Sequence, residues 1–259
     1  MSMQDFWENW AQNDSWASLY EGKPNLRTYN FITRRRAVAK LLSDEGKLPR
    51  ILDVGCGAGD YVVLADEHDG SYHGIDFSES MIREGREVHS KTPHRDNLIV
   101  GSGNCLPYED NTFDCGIGIG YIEYFPDPDI PLGEIRRVLK PGGLMVIQAY
   151  KWDLWGRFGK NITQPIRKHV FRQKLIRDRM PDDFVDMRYG KTDLDGIMKR
   201  NGFTLRSSTH NHFVTMPPFI KRRMIGTHVR VSEWMDRTAP DFWGFLAVNY
   251  IGKYQLTEG

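Results

Sequence analysis

Residues 50–150 alternate between short apolar runs and amphipathic stretches, with glycine or proline at the changes of pattern. Ile51-Leu52-Asp53-Val54 is a short apolar run that ends in glycines, the mark of a buried strand. The pattern predicts a helix from Ala58 to His68, a strand from Ser71 to Asp76, and a helix from Ser78 to His89 with Ser78 as N-cap. Leu98–Val100 and the glycine-rich Phe113–Ile119 read as further strands. Residues 129–139 read as a helix, which Lys140-Pro141-Gly142-Gly143 stops and turns into a strand over Leu144–Ala149. Strands and helices alternating in this way imply right-handed crossovers and a parallel sheet covered on both faces, a doubly wound α/β architecture.

The flanks differ from this core. Residues 1–45 read as a helical cap rich in aromatics: Phe6, Trp7, Trp10, Trp16, Tyr20, Tyr29 and Phe31. Arg34-Arg35-Arg36 then opens an amphipathic run through Ala37, Val38, Leu41 and Leu42. After Tyr150, residues 151–190 are basic and lack strand signals. Thr192–Asn201 reads as a helix stopped by Gly202, and residues 203–214 and 242–251 as two closing strands. Residues 151–190 and 215–241 are expected to be lid insertions. With roughly 150 residues per domain as a guide, the 259 residues read as one domain.

Composition narrows the functional classes. The 35 Lys+Arg and 34 Asp+Glu nearly cancel, so the chain as a whole is no basic nucleic-acid binder and no DNA partner is expected. No uninterrupted apolar run is long enough to span a membrane, and residues 1–8 lack the basic and apolar regions of a signal peptide. Cys56, Cys105 and Cys115 are too few and too irregularly spaced for a disulfide framework or a zinc site, which points to a reduced, cytoplasmic protein and no metal.

Chemistry concentrates where the first strand meets its helix. In Asp53-Val54-Gly55-Cys56-Gly57-Ala58-Gly59, the glycines permit positive φ and close approach of a ligand to the backbone. A helix N-terminus behind them presents unsatisfied N–H groups. Asp76 closes the second strand, where a carboxylate accepts hydrogen bonds from both ribose hydroxyls. A dinucleotide site usually reads GxGxxG, whereas here the spacing is GxGxG with an acid two residues ahead. A carboxylate at Asp53 is unfavourable beside a pyrophosphate and favourable beside an ammonium. The residues therefore favour a nucleoside with an amino-acid tail.

The run ILDVGCGAGDY resembles the first motif of class I S-adenosylmethionine-dependent methyltransferases. GIDFSESMI, GSGNCLPYEDNTFDCGIGIGYIEYFPDP and LGEIRRVLKPGGLMVI resemble that family's later motifs, in the family's order. The resemblance implies a Rossmann-like, seven-stranded, mostly parallel sheet with S-adenosyl-L-methionine as cofactor. It places Gly55, Gly57 and Gly59 along the methionine portion with Cys56 among them, and Asp53 near the ammonium. Asp76 would hold the ribose, with Phe77 and Met81 near the adenine. Asn104 and Cys105 match an Asp-Ala pair whose first side chain bonds the adenine amino group, here with Asn in place of Asp. Gly118 to Tyr121 match the strand end that meets the reacting methyl. In related methyltransferases an N-terminal aromatic closes over the cofactor, a role open to Trp16, Tyr20 or Tyr29, which otherwise pack a helix on the sheet.

Four residues are candidates for acid–base chemistry: Glu123, Tyr124, His212 and His210. Glu123 and Tyr124 follow the fourth strand, where an acceptor would approach and where the family often has Glu-His; the alternative is that Glu123 braces backbone. His212 alternates with His210 on a predicted strand, so the two share one face and either suits a general base, or both are structural. Trp152, Trp155, Phe158, Phe213, Met216, Phe219, Met224 and Trp234 suit an apolar acceptor pocket or an ordinary lid core. Apolar residues recur at helical spacing through 162–180 with six basic residues between them. That pattern fits a lid helix with a solvated basic face, or a surface that meets anionic lipid headgroups. The expected reaction is methyl transfer to a small or lipid-like acceptor at oxygen, nitrogen or activated carbon. The rival readings are an RNA or protein methyltransferase and a non-catalytic module that binds the cofactor.

Overall fold

The computed structural model describes residues 5–9, 15–20, 28–151, 187–215, 224–238 and 240–257. Strands β1 (Arg50–Val54), β2 (Ser71–Asp76), β3 (Leu98–Val100), β4 (Phe113–Gly118), β5 (Leu139–Tyr150), β6 (Phe203–Phe213) and β7 (Ala247–Leu256) form one seven-stranded sheet. Their order is β3-β2-β1-β4-β5-β7-β6. β1 to β5 are mutually parallel, and β7 runs antiparallel to both of its neighbours. The order reverses between β1 and β4, which opens a crevice at the carboxyl ends of the strands.

Helices cover both faces because the parallel strands bury alternate residues on opposite sides. On one face α1 (Tyr29–Leu42), α2 (Val62–Glu67) and α3 (Glu79–Val88) pack Val38, Leu64 and Ile82 against Ile51, Ile117 and Val146. On the other, α4 (Asp129–Val138) and α5 (Lys191–Arg200) pack Ile135 and Met198 against Leu52, Met145 and Ile147. The predicted N-cap is present: Ser78 Oγ accepts the Met81 N–H at 3.2 Å. Among the described residues no helix is long and apolar enough to cross a membrane.

Three local expectations need correction. α2 begins at Val62, not Ala58, because Gly57 and Gly59 hold φ of 52° and 81° and keep the chain in a turn. β5 begins at Leu139, not Leu144: Leu139 pairs with Phe113 and Leu144 with Cys115, so the Pro-Gly-Gly segment is an irregularity within the strand, not a turn before it. The last strand covers Ala247–Leu256, not 242–251, and the exposed Phe242 and Phe245 belong to the turn that precedes it. The described part of 215–241 is α6 (Ile225–Thr238), which packs on β6 and α1. There Ser232 Oγ donates to the Phe213 carbonyl at 2.8 Å, and Tyr29 Oη donates to Asp236 at 2.5 Å. The basic run 162–180 and most of 151–190 lie outside the described residues.

Candidate active site

The loop after β1 is fixed by its own backbone. The Gly55 and Cys56 N–H groups both donate to the Ile75 carbonyl, at 2.8 and 3.1 Å. Asp76, the last residue of β2, accepts the Gly57 N–H at 3.0 Å on one oxygen and the Ser78 N–H at 2.9 Å on the other. A carboxylate has about four lone-pair sites, so acceptor capacity remains for a ligand. A Cβ at Gly55 would stand 2.9 Å from Tyr121 Cδ2, and one at Gly57 would stand 2.7 Å from Trp16 Nε1. Only glycine combines these contacts with φ of 71° and 52°.

Beside this loop, over the carboxyl ends of β1 to β5, lies a cavity of about 480 Å³. One wall is Gly55, Gly57, Ile75, Asp76, Phe77, Met81 and Gly101–Gly103. The other is Trp7, Trp16, Phe31, Arg34, Tyr124, Phe125 and Tyr150, with Tyr121 where the two meet, against Gly55. The aromatics of the second wall meet edge to face: Trp7 lies 5.9 Å from Trp16 and 6.0 Å from Tyr124, and Trp16 lies 5.3 Å from Phe31. Carboxylates hold this N-terminal segment to the core. Glu84 accepts Ser15 Oγ and the Trp16 and Ala17 N–H groups at 2.7, 3.1 and 3.1 Å. The Trp16 indole donates to Asp60 at 2.8 Å. Glu8 accepts the Glu79 N–H, at the start of α3, at 2.6 Å.

Around the glycine loop the protein gathers carboxyl groups. Burial pushes Asp53 up to about 8 and raises Asp60 and Asp76 above the ordinary carboxylate range. Asp53 is fully enclosed and accepts the Tyr72 hydroxyl at 2.5 Å. A cation nearby would lower all three pKa values, so this region suits a positively charged ligand group.

The cavity brings together seven of the expected residues: Gly55, Gly57, Asp76, Phe77, Met81, Tyr121 and Tyr124. Eight others do not line it. Asp53 sits behind the loop on Tyr72, not at the cavity surface. The Cys56 thiol points at Gly74, 2.8 Å from where a Cβ there would be. Gly59 faces His89, and Gly118 faces Met145. Asn104 and Cys105 are exposed, one turn beyond the lining Gly101–Gly103. Glu123 is buried beneath the 122–124 turn, where its carbonyl accepts the Met187 N–H at 2.9 Å. His212 adopts φ of 57°, which breaks strand alternation. Its ring packs 5.5 Å from Tyr29 on α1, while His210 lies 5.2 Å from Tyr250 and bonds Asp241, so the two histidines do not share a face. Of the expected apolar acceptor residues, Phe213 is buried against Met235, and Met224 and Trp234 are exposed away from the cavity. Trp152, Trp155, Phe158, Met216 and Phe219 lie outside the described residues.

Sequence reasoning missed Phe31, Arg34, Phe125 and Tyr150 as lining residues. The signal for the first two was a helix whose aromatic and basic positions flank an apolar stripe, a pattern equally common on solvated helices.

Comparison with known proteins agrees with this geometry. Residues 51–143 match the family model for a methyltransferase domain. The demethylmenaquinone methyltransferase of Staphylococcus haemolyticus is 42% identical over 129 residues, covering 48% of this chain and 48% of that protein. The chain spans about half the length of the curated relatives it matches. Magnesium protoporphyrin IX methyltransferase from Synechocystis, solved with bound S-adenosylhomocysteine, superposes with a TM-score of 0.62 at 12% identity over 98% of both chains. A methyltransferase from Thermotoga maritima superposes at 0.59 with 18% identity, over 98% of this chain and 100% of that one. Residues 51–143 thus match a methyltransferase domain, and the chain shares the fold of the S-adenosylmethionine-dependent methyltransferases on which it superposes.

Proposed function

We propose that the protein transfers the methyl group of S-adenosylmethionine to an apolar, lipid-like acceptor of the quinone type. The observation that carries this reading is the cavity itself, lined by glycines and a carboxylate after β1 and β2 and by aromatic side chains beside them. The cofactor suits the glycine lining: Gly55 and Gly57 reach the cavity as backbone with no side chain in the way, and Asp76 keeps acceptor capacity for ribose hydroxyls. Phe77, Met81 and Gly101–Gly103 would flank the base, with Gly55, Gly57 and Tyr121 along the amino-acid tail. When bound, the cofactor supplies a methyl group activated by a sulfonium.

The chain's own residues align and dry the site. Trp7, Tyr124, Phe125 and Tyr150 offer flat apolar surface to a ring system and exclude water from the reacting atoms. Aromatic faces also favour a sulfonium cation. Tyr124, whose ring is part of the wall, is the expected catalytic position that touches the acceptor space; no step is assigned to Glu123 or His212. The basic segment 162–180 is proposed as the contact with anionic headgroups from which a lipid-like acceptor is drawn. The name of the Staphylococcus relative supports a quinone-type acceptor.

The test uses methyl-labelled S-adenosylmethionine with a 1,4-naphthoquinol acceptor, and separately with a cell extract partitioned between solvent and water. Label in the organic phase, dependent on acceptor, is expected. Label only in nuclease- or protease-sensitive aqueous material would replace the acceptor class. Saturable S-adenosylhomocysteine binding with no label anywhere would replace the enzyme with a binding module.

A further inference from the structure

Four aromatic rings meet where α6 lies beside the turn that precedes β7. Trp243 stands 4.7 Å from Phe242, 6.1 Å from Trp234 and 6.4 Å from Phe245. Trp243 itself packs on the buried Phe213, Met235 and Ala247, which anchors the group. The other three rings face solvent: Phe242 is 72% exposed, Phe245 56% and Trp234 54%. Single exposed apolar side chains are ordinary, but a contiguous set of large rings marks a contact surface. The backbone beneath them is pinned. The Gly244 N–H donates to the Asp241 carbonyl at 3.1 Å, and the Leu246 N–H to the Trp243 carbonyl at 2.9 Å. Lys151 donates to the Gly244 carbonyl, and the Asp241 carboxylate meets His210 at 2.9 Å. The rings are therefore presented at little ordering cost.

Positive charge flanks the rings. Arg230 and Arg237 are exposed and lie one turn to either side of Trp234 on α6. Beside them a cleft of about 260 Å³ between α1, β6 and α6 is lined by Arg36, Lys40, Arg237, Glu233, Asp236 and His210. The His210 ring also packs on Gly244 of the aromatic turn, 3.0 Å from where a Cβ there would be, so cleft and rings adjoin. The carboxyl groups on this face are already engaged. Glu233 meets Arg36 at 3.4 Å and Arg237 at 3.8 Å, and Asp241 holds His210. Asp236 accepts Tyr29 Oη, and burial pushes its pKa up to about 7. Lys40 and Arg230 make no ion pair among the described residues.

We propose that α6 and the 241–246 turn form a docking face for an anionic lipid bilayer. Trp234, Phe242 and Phe245 enter the boundary between headgroups and acyl chains, while Arg36, Lys40, Arg230 and Arg237 meet the headgroup phosphates around them. An indole suits that depth, because its ring is apolar and its N–H needs a polar partner. A second copy of the chain is a poorer occupant, since a two-fold contact through this face would crowd one cationic patch against its own copy. A bilayer offers apolar depth to the rings and fixed negative charge to the cations at once. This surface is distinct from residues 162–180, and it rests neither on that contact nor on the identity of the methyl acceptor.

The test is co-sedimentation of the whole chain with vesicles of equal parts phosphatidylglycerol and phosphatidylcholine, beside vesicles of phosphatidylcholine alone. Binding to the anionic vesicles is expected, weakened by salt, with phosphatidylcholine bound about 10-fold less or weaker still. The triple variant Trp234→Ser, Phe242→Ser, Phe245→Ser is expected to lose about 10–100-fold in vesicle affinity, and Lys40→Glu with Arg230→Glu about 10-fold. Trp234→Phe keeps an apolar ring and should stay within about 3-fold of the parent. All five substituted side chains are exposed, so each variant should melt within a few degrees of the parent. S-adenosylhomocysteine affinity, which tests the cofactor reading separately, should stay within about 2-fold throughout. Undiminished vesicle binding by the triple variant would overturn the proposal and place the contact elsewhere on the chain. Absence of binding by the parent would overturn it as well. So would a concentration-dependent dimer that the triple variant abolishes, because a second copy would then cover the rings.

Discussion

The two walls of the cavity are built by different physical means. The wall after β1 and β2 is mostly backbone: glycines at positive φ, and Asp76 tying Gly57 to Ser78. Its parts lie close together in sequence and tolerate almost no added atom. The second wall consists of side chains from distant segments, Trp7 to Arg34 and Tyr124 to Tyr150. Carboxylates hold it in place, such as Glu84 on Trp16 across 68 residues of chain. A backbone wall suits a ligand shared by a whole family, and a side-chain wall suits one that varies. Cofactor affinity should therefore depend on the first wall and acceptor choice on the second.

Substitutions should separate the two. The largest effect is expected for Gly57→Ala, which places a methyl group 2.7 Å from the Trp16 indole at φ of 52°. Strain and clash together should weaken S-adenosylhomocysteine binding by about 100-fold or more, read by calorimetry. Asp76→Asn replaces one accepting oxygen by a donor that faces a backbone N–H, and about a 10–100-fold loss of the same affinity is expected. Trp7→Leu should invert the pattern, with the acceptor KM raised up to about 10-fold and cofactor affinity within about 2-fold. Equal losses of both affinities in any of these variants would break the division between walls.

The smallest expected effect is on pH. Burial raises Asp53 to about 8 from an ordinary value of 3.8, so the folded protein holds a proton that the unfolded chain has lost between those limits. That contribution to stability is fully present below pH about 4 and is lost as pH rises toward 8. The ligand-free melting temperature should carry a declining component across this window that Asp53→Asn removes. A cationic ligand beside the loop lowers the same pKa and displaces the proton, so cofactor binding should tighten as pH rises from about 6 to 8.

The legible part of the sequence follows the same division. β1, its glycine loop, β2 and Asp76 announce themselves because glycine, a short apolar run and a terminal acid act over a few residues. The aromatic wall does not, because Trp7, Phe31 and Tyr150 meet only through tertiary packing. Asn104 and Cys105 lie just outside the cavity lining, where Gly101–Gly103 reach it as backbone and leave little side-chain signal. β7 was misplaced for a similar reason. Its buried Lys253, paired with Asp44 and Glu45 at 2.8 and 2.6 Å, interrupts the apolar pattern. The exposed Phe242 and Phe245 imitate that pattern just ahead of the strand. His212 departs from its strand neighbours through a positive φ that no periodicity encodes.

The most direct test is a crystal structure of the protein with S-adenosylhomocysteine. The account predicts ribose hydroxyls on Asp76, the base beside Phe77 and Met81, and the sulfur directed at the space between Tyr121 and Trp7, with apolar volume still open beside it. A nucleoside bound elsewhere, or oriented with its base against the Trp7 wall, would contradict it.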